Sequence, residues 1–230
     1  MTDQYESEAA QRLAEETGEP RERFTADDKP LPELDELESV TDGGVDQDDG
    51  ELDRGLLHVD LCAGRGGWQA ATADDPRWTT IGVDIVPMRG VDVLADVRNL
   101  PLDCSPDLLT MSPPCTEFAR WMLPWLDEPN PDLSLVEACL QAVDDLEPTW
   151  WVMENSRGLH QYWEPARTHI GPFYLWGEWP AMDVDESQIK GKMQTSGEDP
   201  AKRAEIPRVL SKALKLAVET HGGVTRRAVA

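Results

Sequence analysis

The stretch Leu56-Leu57-His58-Val59-Asp60-Leu61-Cys62-Ala63-Gly64-Arg65-Gly66-Gly67-Trp68 decides the fold. The run from Leu56 to Leu61 predicts a β-strand, and a glycine-rich loop follows it at once. Glycines after a strand let the backbone turn tightly and approach a ligand closely, and a helix that starts there offers free N–H groups. The stretch therefore predicts the first strand, loop and helix of an α/β sheet with a ligand at its carboxyl edge.

Two further strands are predicted downstream, and each ends in an acid. Thr80-Ile81-Gly82-Val83-Asp84 places its aspartate about 20 residues after the glycines, the spacing at which a carboxylate grips ribose hydroxyls. Val91-Asp92-Val93-Leu94-Ala95-Asp96 ends in a second acid. Taken singly, each feature is also explained by a turn glycine or a helix-capping aspartate. Three successive strands with such ends indicate a cofactor site.

A cysteine follows the next predicted strand, in Asp107-Leu108-Leu109-Thr110-Met111-Ser112-Pro113-Pro114-Cys115-Thr116-Glu117-Phe118. The strand must stop at Pro113 and Pro114, because prolines lack N–H donors and have a fixed φ. Cys115 then lies on a rigid loop at the carboxyl end of a strand, where open α/β sheets carry their chemistry. The loop alone leaves a plainer interpretation open, in which Cys115 is a small buried apolar residue.

A fifth strand favours the catalytic interpretation. Trp150-Trp151-Val152-Met153-Glu154-Asn155 is an apolar run whose polar end should emerge near the cysteine. Together, Ser112-Pro113-Pro114-Cys115 and Glu154-Asn155 resemble the cysteine-loop and Glu-Asn motifs of the cytosine-5 DNA methyltransferases. The stretch from Asp60 to Gly67 resembles the first motif of that family.

This resemblance implies a class I S-adenosylmethionine-dependent methyltransferase fold over residues 54–230, an α/β doubly wound and mostly parallel sheet. The cofactor-binding residues it implies are Asp60, Cys62, Ala63, Gly64, Gly66, Gly67, Trp68, Asp84, Ile85, Asp96, Val97 and Pro113. Asp84 is expected at the ribose of S-adenosylmethionine, and Ile85 and Asp96 at the adenine. Cys62 replaces the phenylalanine that is usual in the family, and we expect Trp68 to supply the missing aromatic contact.

The resemblance also implies a catalytic set of Cys115, Glu154 and Asn155 acting on a cytosine flipped out of DNA. Attack of the Cys115 thiolate on carbon 6 makes carbon 5 nucleophilic, which splits one hard step into two easier ones. Glu154 would hold ring nitrogen 3 and stabilise the charge that attack generates, a role that requires a buried carboxyl. Asn155 would orient the loop or the base.

Charge is unevenly distributed along the 230-residue chain, whose formal net charge is −24. Residues 1–53 hold 19 acidic and 4 basic side chains, which predicts an acidic disordered tail. Residues 190–230 hold 9 basic and 4 acidic side chains, and these cations are the ones expected to meet phosphate. The scarcity of lysine, 6 residues against 15 arginines, and the acidic surface resemble proteins of salt-accumulating halophiles. A cellular and a viral origin are both open.

The rest of the chain leaves little room for target recognition. A capping box at Ser134-Leu135-Val136-Glu137 predicts a helix that runs to residue 146. The glutamine-arginine motif of the family has no clear counterpart, and Arg167 is the nearest candidate. Residues 178–202 form at most a minimal recognition insert. Residues 203–220 are predicted as a C-terminal helix that packs against the cofactor domain.

Other expectations concern partners and surroundings. The chain opens without a charged-then-apolar leader and has no apolar run of membrane-spanning length, so we expect a cytoplasmic monomer without membrane association. Four widely spaced cysteines argue against a zinc site and a disulfide framework, and no metal is expected. DNA is the expected partner, and a restriction endonuclease partner is open.

Three other functions share parts of this pattern. An amino-group methyltransferase that acts on a cytosine or adenine nitrogen also uses a Pro-Pro loop, but carries an aromatic residue where Cys115 stands. An RNA cytosine methyltransferase shares the chemistry. A non-catalytic DNA-binding protein of the same fold would bind the cofactor without turnover.

Overall fold

The computed structural model describes residues 55–119, 131–189 and 205–225. Its strands are β1 (Leu56–Leu61), β2 (Trp78–Asp84), β3 (Val93–Leu94), β4 (Leu108–Met111), β5 (Trp150–Asn155), β6 (Thr168–Ile170) and β7 (Phe173–Glu178). Its α-helices are α1 (Thr116–Ala119), α2 (Ser134–Leu146) and α3 (Arg208–Thr225). Short 3-10 helices span Trp68–Ala71, Val97–Asn99, Arg157–Gln161 and Glu186–Gln188. The predicted tail, residues 1–53, and residues 190–202 of the predicted recognition insert lie outside the described residues.

The seven strands form one sheet in the order β3-β2-β1-β4-β5-β7-β6. Strands β1 to β5 pair in parallel, and β7 runs antiparallel to both β5 and β6. This is the mostly parallel, doubly wound sheet that the sequence predicts. The strand order reverses between β1 and β4, and such a switch point is where open α/β sheets bind ligands.

Helices cover both faces of the sheet and bury two apolar clusters. On one face, α2 contributes Val136, Cys139, Ala142 and Leu146 to a cluster with Val59, Leu61, Leu109, Met111, Met153 and Trp176. On the other face, α3 contributes Leu210, Leu214 and Val218 to a cluster with Trp68, Trp78, Leu108, Val152, Phe173 and Leu175. Consecutive residues of one strand therefore belong to different clusters, because their side chains point to opposite faces of the sheet.

The predicted strands at β1, β4 and β5 have the observed bounds, whereas β3 is shorter than predicted. The Asp92 side chain accepts a hydrogen bond from the Gly82 N–H at 3.0 Å, so a carboxylate replaces a main-chain partner just before Val93. Strand β6 has only three residues and was not predicted. Such a short edge strand carries too few residues for an alternating pattern to show.

Two helix starts differ from the predictions. The capping box at Ser134 does not form: Oδ1 of Asp132 accepts the Ser134 N–H at 2.8 Å, and Leu133 takes the N-cap position. The helix predicted after the glycine loop is a 3-10 helix of four residues, Trp68–Ala71. Pro76 disfavours helical backbone in the residue before it, which limits the length of a helix at this point.

The C-terminal helix packs against the glycine loop and β2, as expected, but spans Arg208–Thr225. The Trp78 indole N–H donates to Glu219 at 2.9 Å, and Lys215 lies 2.8 Å from Asp75 and 2.9 Å from Glu219. Lys215 thus takes part in holding this helix on the domain, a role different from the predicted contact with phosphate. No helix in the described part of the chain is long and apolar enough to cross a membrane.

Candidate cofactor and catalytic site

The glycine loop is fastened to the end of β2 at the carboxyl edge of the sheet. The Ala63 N–H donates to the Val83 carbonyl at 3.1 Å. The Asp84 carboxylate accepts one hydrogen bond from the Gly64 N–H and another from the Val86 N–H, both at 3.0 Å. Burial raises the pKa of Asp84. Asp84, predicted at the ribose, therefore joins two loops, and its oxygens keep lone pairs that a hydroxyl could use.

One side of the glycine loop is packed and the other is open. A Cβ at Gly82 would lie 1.8 Å from the Gly90 carbonyl oxygen, and a Cβ at Gly90 would lie 2.4 Å from the Gly66 nitrogen. The Gln69 side chain donates to the Gly90 carbonyl at 2.7 Å and locks this contact. By contrast, a Cβ at Gly64, whose φ is +51°, would meet no atom within 4 Å. The open side offers room for a ligand against the backbone.

Exposed apolar side chains follow the neighbouring strand ends. Ile85 is 49% exposed directly after β2, and Leu94 is 37% exposed at the end of β3. Ile85 was predicted as a cofactor contact and Leu94 was not. Leu94 lies at this edge because β3 ends there. Asp96 caps the Val97–Asn99 3-10 helix, and its hydrogen bonds with Arg98 lower the pKa of its carboxyl. An uncovered apolar surface beside an ionised carboxylate suits a flat, polar-edged ring.

A buried polar chain runs beneath the loop through Asp60, Thr110, His58 and Thr72. The Thr110 hydroxyl donates to Asp60 Oδ1 at 2.7 Å, so it accepts from His58 Nε2 at 2.8 Å. His58 Nδ1 is hydrogen-bonded to the Thr72 hydroxyl at 2.8 Å, and this hydroxyl also lies 3.3 Å from the Gln69 carbonyl. Burial lowers the pKa of His58 to about 3 and raises the pKa of Asp60 to about 7. The second oxygen of Asp60, Oδ2, is buried with no hydrogen-bond partner within the described residues.

Two predicted cofactor contacts point into the protein. The Cys62 backbone has a φ of +54°, and the neighbouring Cys139 thiol of α2 and burial raise the pKa of Cys62. Trp68 is 3% exposed and packs in the cluster that α3 covers. Its indole therefore offers almost no surface to a ligand, contrary to the expected aromatic contact. All four cysteines are free thiols.

The cysteine loop is held by both neighbouring strands. The Trp68 indole N–H donates to the Ser112 hydroxyl at 3.0 Å, and the Ser112 N–H donates to the Leu61 carbonyl at 3.1 Å. On the other side, Asn155 Nδ2 donates to the Pro113 carbonyl at 3.0 Å. Pro113, predicted as a cofactor contact, is thereby fixed between the ends of β4 and β5. The structure thus brings together the two motifs that the sequence singles out.

The catalytic candidates occupy different environments around this link. Asn155 is fully buried, and its Oδ1 accepts the Ser156 N–H at 2.8 Å. Glu154 is 5% exposed. Because Met111 pairs with Met153, Glu154 continues β5 beside Ser112 of the loop. Cys115 is half-buried and directly precedes α1.

Arg167 does not reach this site. Its guanidinium donates to the Gly177 carbonyl at 3.3 Å and lies 4.2 Å from the centre of the Trp179 ring. Gly177 pairs with Val152, three residues before the end of β5, so this contact lies toward the opposite edge of the sheet. Arg167 is therefore not a counterpart of the arginine motif beside Cys115.

No protein-family profile matches the chain, and no curated protein matches it. Similar solved structures include a prophage-encoded protein of E. coli provisionally named a DNA modification methyltransferase, with 23% identity, 45% of this chain and 33% of that chain covered, and a TM-score of 0.34. The methyltransferase EhMeth of Entamoeba histolytica has 14% identity, coverage of 47% and 40%, and a TM-score of 0.33. An antibiotic-related methyltransferase has 19% identity, coverage of 57% and 66%, and a TM-score of 0.31.

The aligned part covers less than half of the first two of these proteins. Independently of them, the strand order shows an open, doubly wound and mostly parallel α/β sheet. The glycine loop, the cysteine loop and the Glu-Asn pair all lie at one edge of this sheet, next to the switch point between β1 and β4.

Proposed function

We propose that the chain transfers a methyl group from S-adenosylmethionine to carbon 5 of cytosine in DNA, through a covalent adduct at Cys115. The observation that carries this proposal is the 3.0 Å hydrogen bond from Asn155 to the Pro113 carbonyl. It fastens the loop that bears a potential nucleophile to the strand end that bears Glu154. Transfer to an exocyclic amino group needs neither of these residues, whereas attack on the cytosine ring uses both.

Three features of the described residues support S-adenosylmethionine as the cofactor. The unpartnered Oδ2 of Asp60 suits the ammonium of its methionine part. The open side of Gly64 leaves room for a ligand to pass close to the backbone. The exposed Ile85 side chain suits the adenine ring. When bound, the cofactor supplies an electrophilic methyl group.

The residues at the cysteine loop would act on the base in a fixed order. The Cys115 thiolate forms a bond to carbon 6 while the electrons of the ring move toward nitrogen 3, where Glu154 stabilises them by a shared proton. Carbon 5 thereby becomes nucleophilic and accepts the methyl group. Loss of the carbon-5 proton to a base and expulsion of the thiolate then restore the ring. Near-complete burial of Glu154 limits the competition of water for its hydrogen bond.

Product analysis tests this assignment against its rivals. The chain is incubated in high salt with radiolabelled S-adenosylmethionine and either DNA or RNA, and the nucleosides are then separated. We expect label in 5-methylcytosine from DNA, and a loss of at least about 100-fold in Cys115→Ser, which removes the nucleophile. Cys104→Ser is the matched control, because Cys104 is a half-buried thiol outside the site.

Each rival function has its own result in this experiment. Label in an N-methylated base that survives in Cys115→Ser would establish an amino-group methyltransferase. Label in RNA alone would establish RNA rather than DNA as the substrate. Binding of the cofactor without label in any nucleic acid would show a non-catalytic protein.

A further inference from the structure

Two groups of aromatic rings lie between the cysteine loop and the outer edge of the sheet. Phe118, in the helix after the loop, lies 6.3 Å from Tyr162 between ring centroids. In the same segment, His160 lies 5.0 Å from Tyr174 of β7. Tyr174 in turn stacks on His169 of β6, at 5.1 Å and an interplanar angle of 26°. The second group thus includes a stacked pair of rings on the two outermost strands.

This stacked pair is close to the proposed catalytic residues and open to solvent. The strand register places Asn155, Tyr174 and His169 side by side on β5, β7 and β6. His169 therefore lies two strand spacings, about 10 Å, from Asn155. His169 is exposed and Tyr174 is half-buried. An exposed ring that already stacks on a second ring is a surface on which a further flat ring can stack.

The charge around the pair differs from the rest of this acidic chain. Of its 230 residues 45 are acidic, but Glu164 is the only acid among residues 155–177. The acid-rich segment 183–186 belongs to the other face of the sheet, because Met182 and Val184 pack against the cluster that contains Phe173.

One exposed arginine in this region is not used in the fold. Arg157 begins the 3-10 helix that follows Asn155, and it forms no ion pair with any described residue. By contrast, four described cations elsewhere form ion pairs with acids within 4.0 Å, namely Arg77, Arg98, Arg208 and Lys215. Arg157 is therefore available for a phosphate.

We propose that His169 and Tyr174 stack an unpaired base of single-stranded DNA next to the target cytosine, and that Arg157 binds a phosphate of the same strand. The proposal rests on the proposed function, which supplies DNA as the substrate. Stacking accepts any base, so the contact would hold the strand without reading its sequence. Only an unpaired strand can use the platform, because the bases of a duplex are already stacked on one another.

Binding of a labelled single-stranded deoxyoligonucleotide of mixed sequence, followed by fluorescence anisotropy over a salt series, tests the proposal. We expect His169→Ala to weaken binding about tenfold and His169→Trp to restore it, because tryptophan offers a ring on which a base can stack and alanine does not. Arg157→Gln should reduce the slope of log K against log salt by about 0.7, the value for one phosphate contact of a single strand. His169→Ala should leave binding of the matching duplex unchanged.

Two controls match these variants in exposure. Thr168→Ala changes the exposed neighbour of His169 on the same strand, and Lys212→Gln removes an exposed positive charge from α3. Both should bind the single strand within about twofold of wild type, since neither touches the proposed surface.

Several results would overturn the proposal. They are unchanged binding by both His169→Ala and Arg157→Gln, a larger loss in Lys212→Gln than in Arg157→Gln, tighter binding of RNA of the same sequence, and no binding by the wild-type chain. If His169→Ala and Arg157→Gln bind single-stranded DNA as the wild type does and methylate normally, this proposal is wrong and the proposed function is unaffected. If the wild-type chain binds single-stranded DNA through these residues but methylates no DNA, the proposed function is wrong and the stacking surface is unaffected.

Discussion

The substitution Asn155→Asp tests whether β5 holds the cysteine loop in place. The substitution keeps the shape of the side chain and the oxygen that accepts the Ser156 N–H at 2.8 Å. It replaces the NH₂ group that donates to the Pro113 carbonyl at 3.0 Å with a second oxygen. Two acceptors then face each other at a position that is fully buried in the wild-type chain.

The expected cost follows from these two contacts. A lost hydrogen bond costs about 1 kcal/mol, and a buried carbonyl left without its donor adds about 1–3 kcal/mol. We therefore expect Asn155→Asp to lower the free energy of unfolding by about 3 kcal/mol near pH 8. The loss should shrink toward pH 5, because burial favours the protonated carboxyl, which can donate to Pro113 again.

Denaturant unfolding followed by tryptophan fluorescence measures this loss at both pH values. Ser156→Ala is the control, because the Ser156 hydroxyl is buried without a hydrogen-bond partner in the described residues, and its removal should change stability by less than about 0.5 kcal/mol. Methyl transfer by Asn155→Asp at pH 8 should fall about 100-fold, as expected when a catalytic loop shifts by about 1 Å. Wild-type stability and activity at pH 8 would show that Asn155 does not hold the loop.

Three other predictions concern the cofactor edge. Without cofactor, burial of neutral His58 makes stability rise with pH between about 3 and 6.5, whereas the raised pKa of Asp60 makes stability fall between 3.8 and about 7. In His58→Gln only the Asp60 contribution remains, so stability should fall with rising pH. In Asp60→Asn only the His58 contribution remains, so stability should rise with pH. Unfolding at several pH values should show a change of up to about 4 kcal/mol in each variant, and parallel curves would contradict the assignment. Gly82→Ala should cost more than about 4 kcal/mol in thermal unfolding, because its Cβ would lie 1.8 Å from a backbone oxygen of Gly90, and a cost under about 1 kcal/mol would contradict this packing. Ile85→Ser should weaken S-adenosylmethionine binding about fivefold in calorimetry and leave the unfolding midpoint unchanged, since Ile85 is 49% exposed, and equal affinity would remove Ile85 from the site.

Local sequence signals were enough to predict the strands that carry the chemistry. The apolar runs of β1, β4 and β5 end at glycines, prolines or a Glu-Asn pair, and each of these endings is read from adjacent residues. Parallel pairing then brings the ends to one edge, so the approach of the cysteine loop to β5 was also predictable.

Contacts between distant residues decided what the sequence could not predict. Whether Trp68 faces a ligand or the core depends on α3, which lies about 140 residues away in the chain and covers its ring. The chain of hydrogen bonds from His58 through Thr110 joins residues 52 positions apart. The Gln69 contact with Gly90 and the Arg167 contact with Trp179 depend in the same way on how separate loops meet.

Covalent trapping on DNA that contains 5-fluorocytosine would decide whether Cys115 attacks the base. Fluorine on carbon 5 cannot leave as a proton does, so the adduct persists and can be weighed by intact-mass spectrometry after denaturation. We predict a complex of one protein with one DNA strand that needs S-adenosylmethionine, maps to the peptide with Cys115, and is absent in Cys115→Ser but present in Cys104→Ser. Methylation of ordinary cytosine at carbon 5 with no trapped complex, or an adduct that persists in Cys115→Ser, would contradict the proposed mechanism.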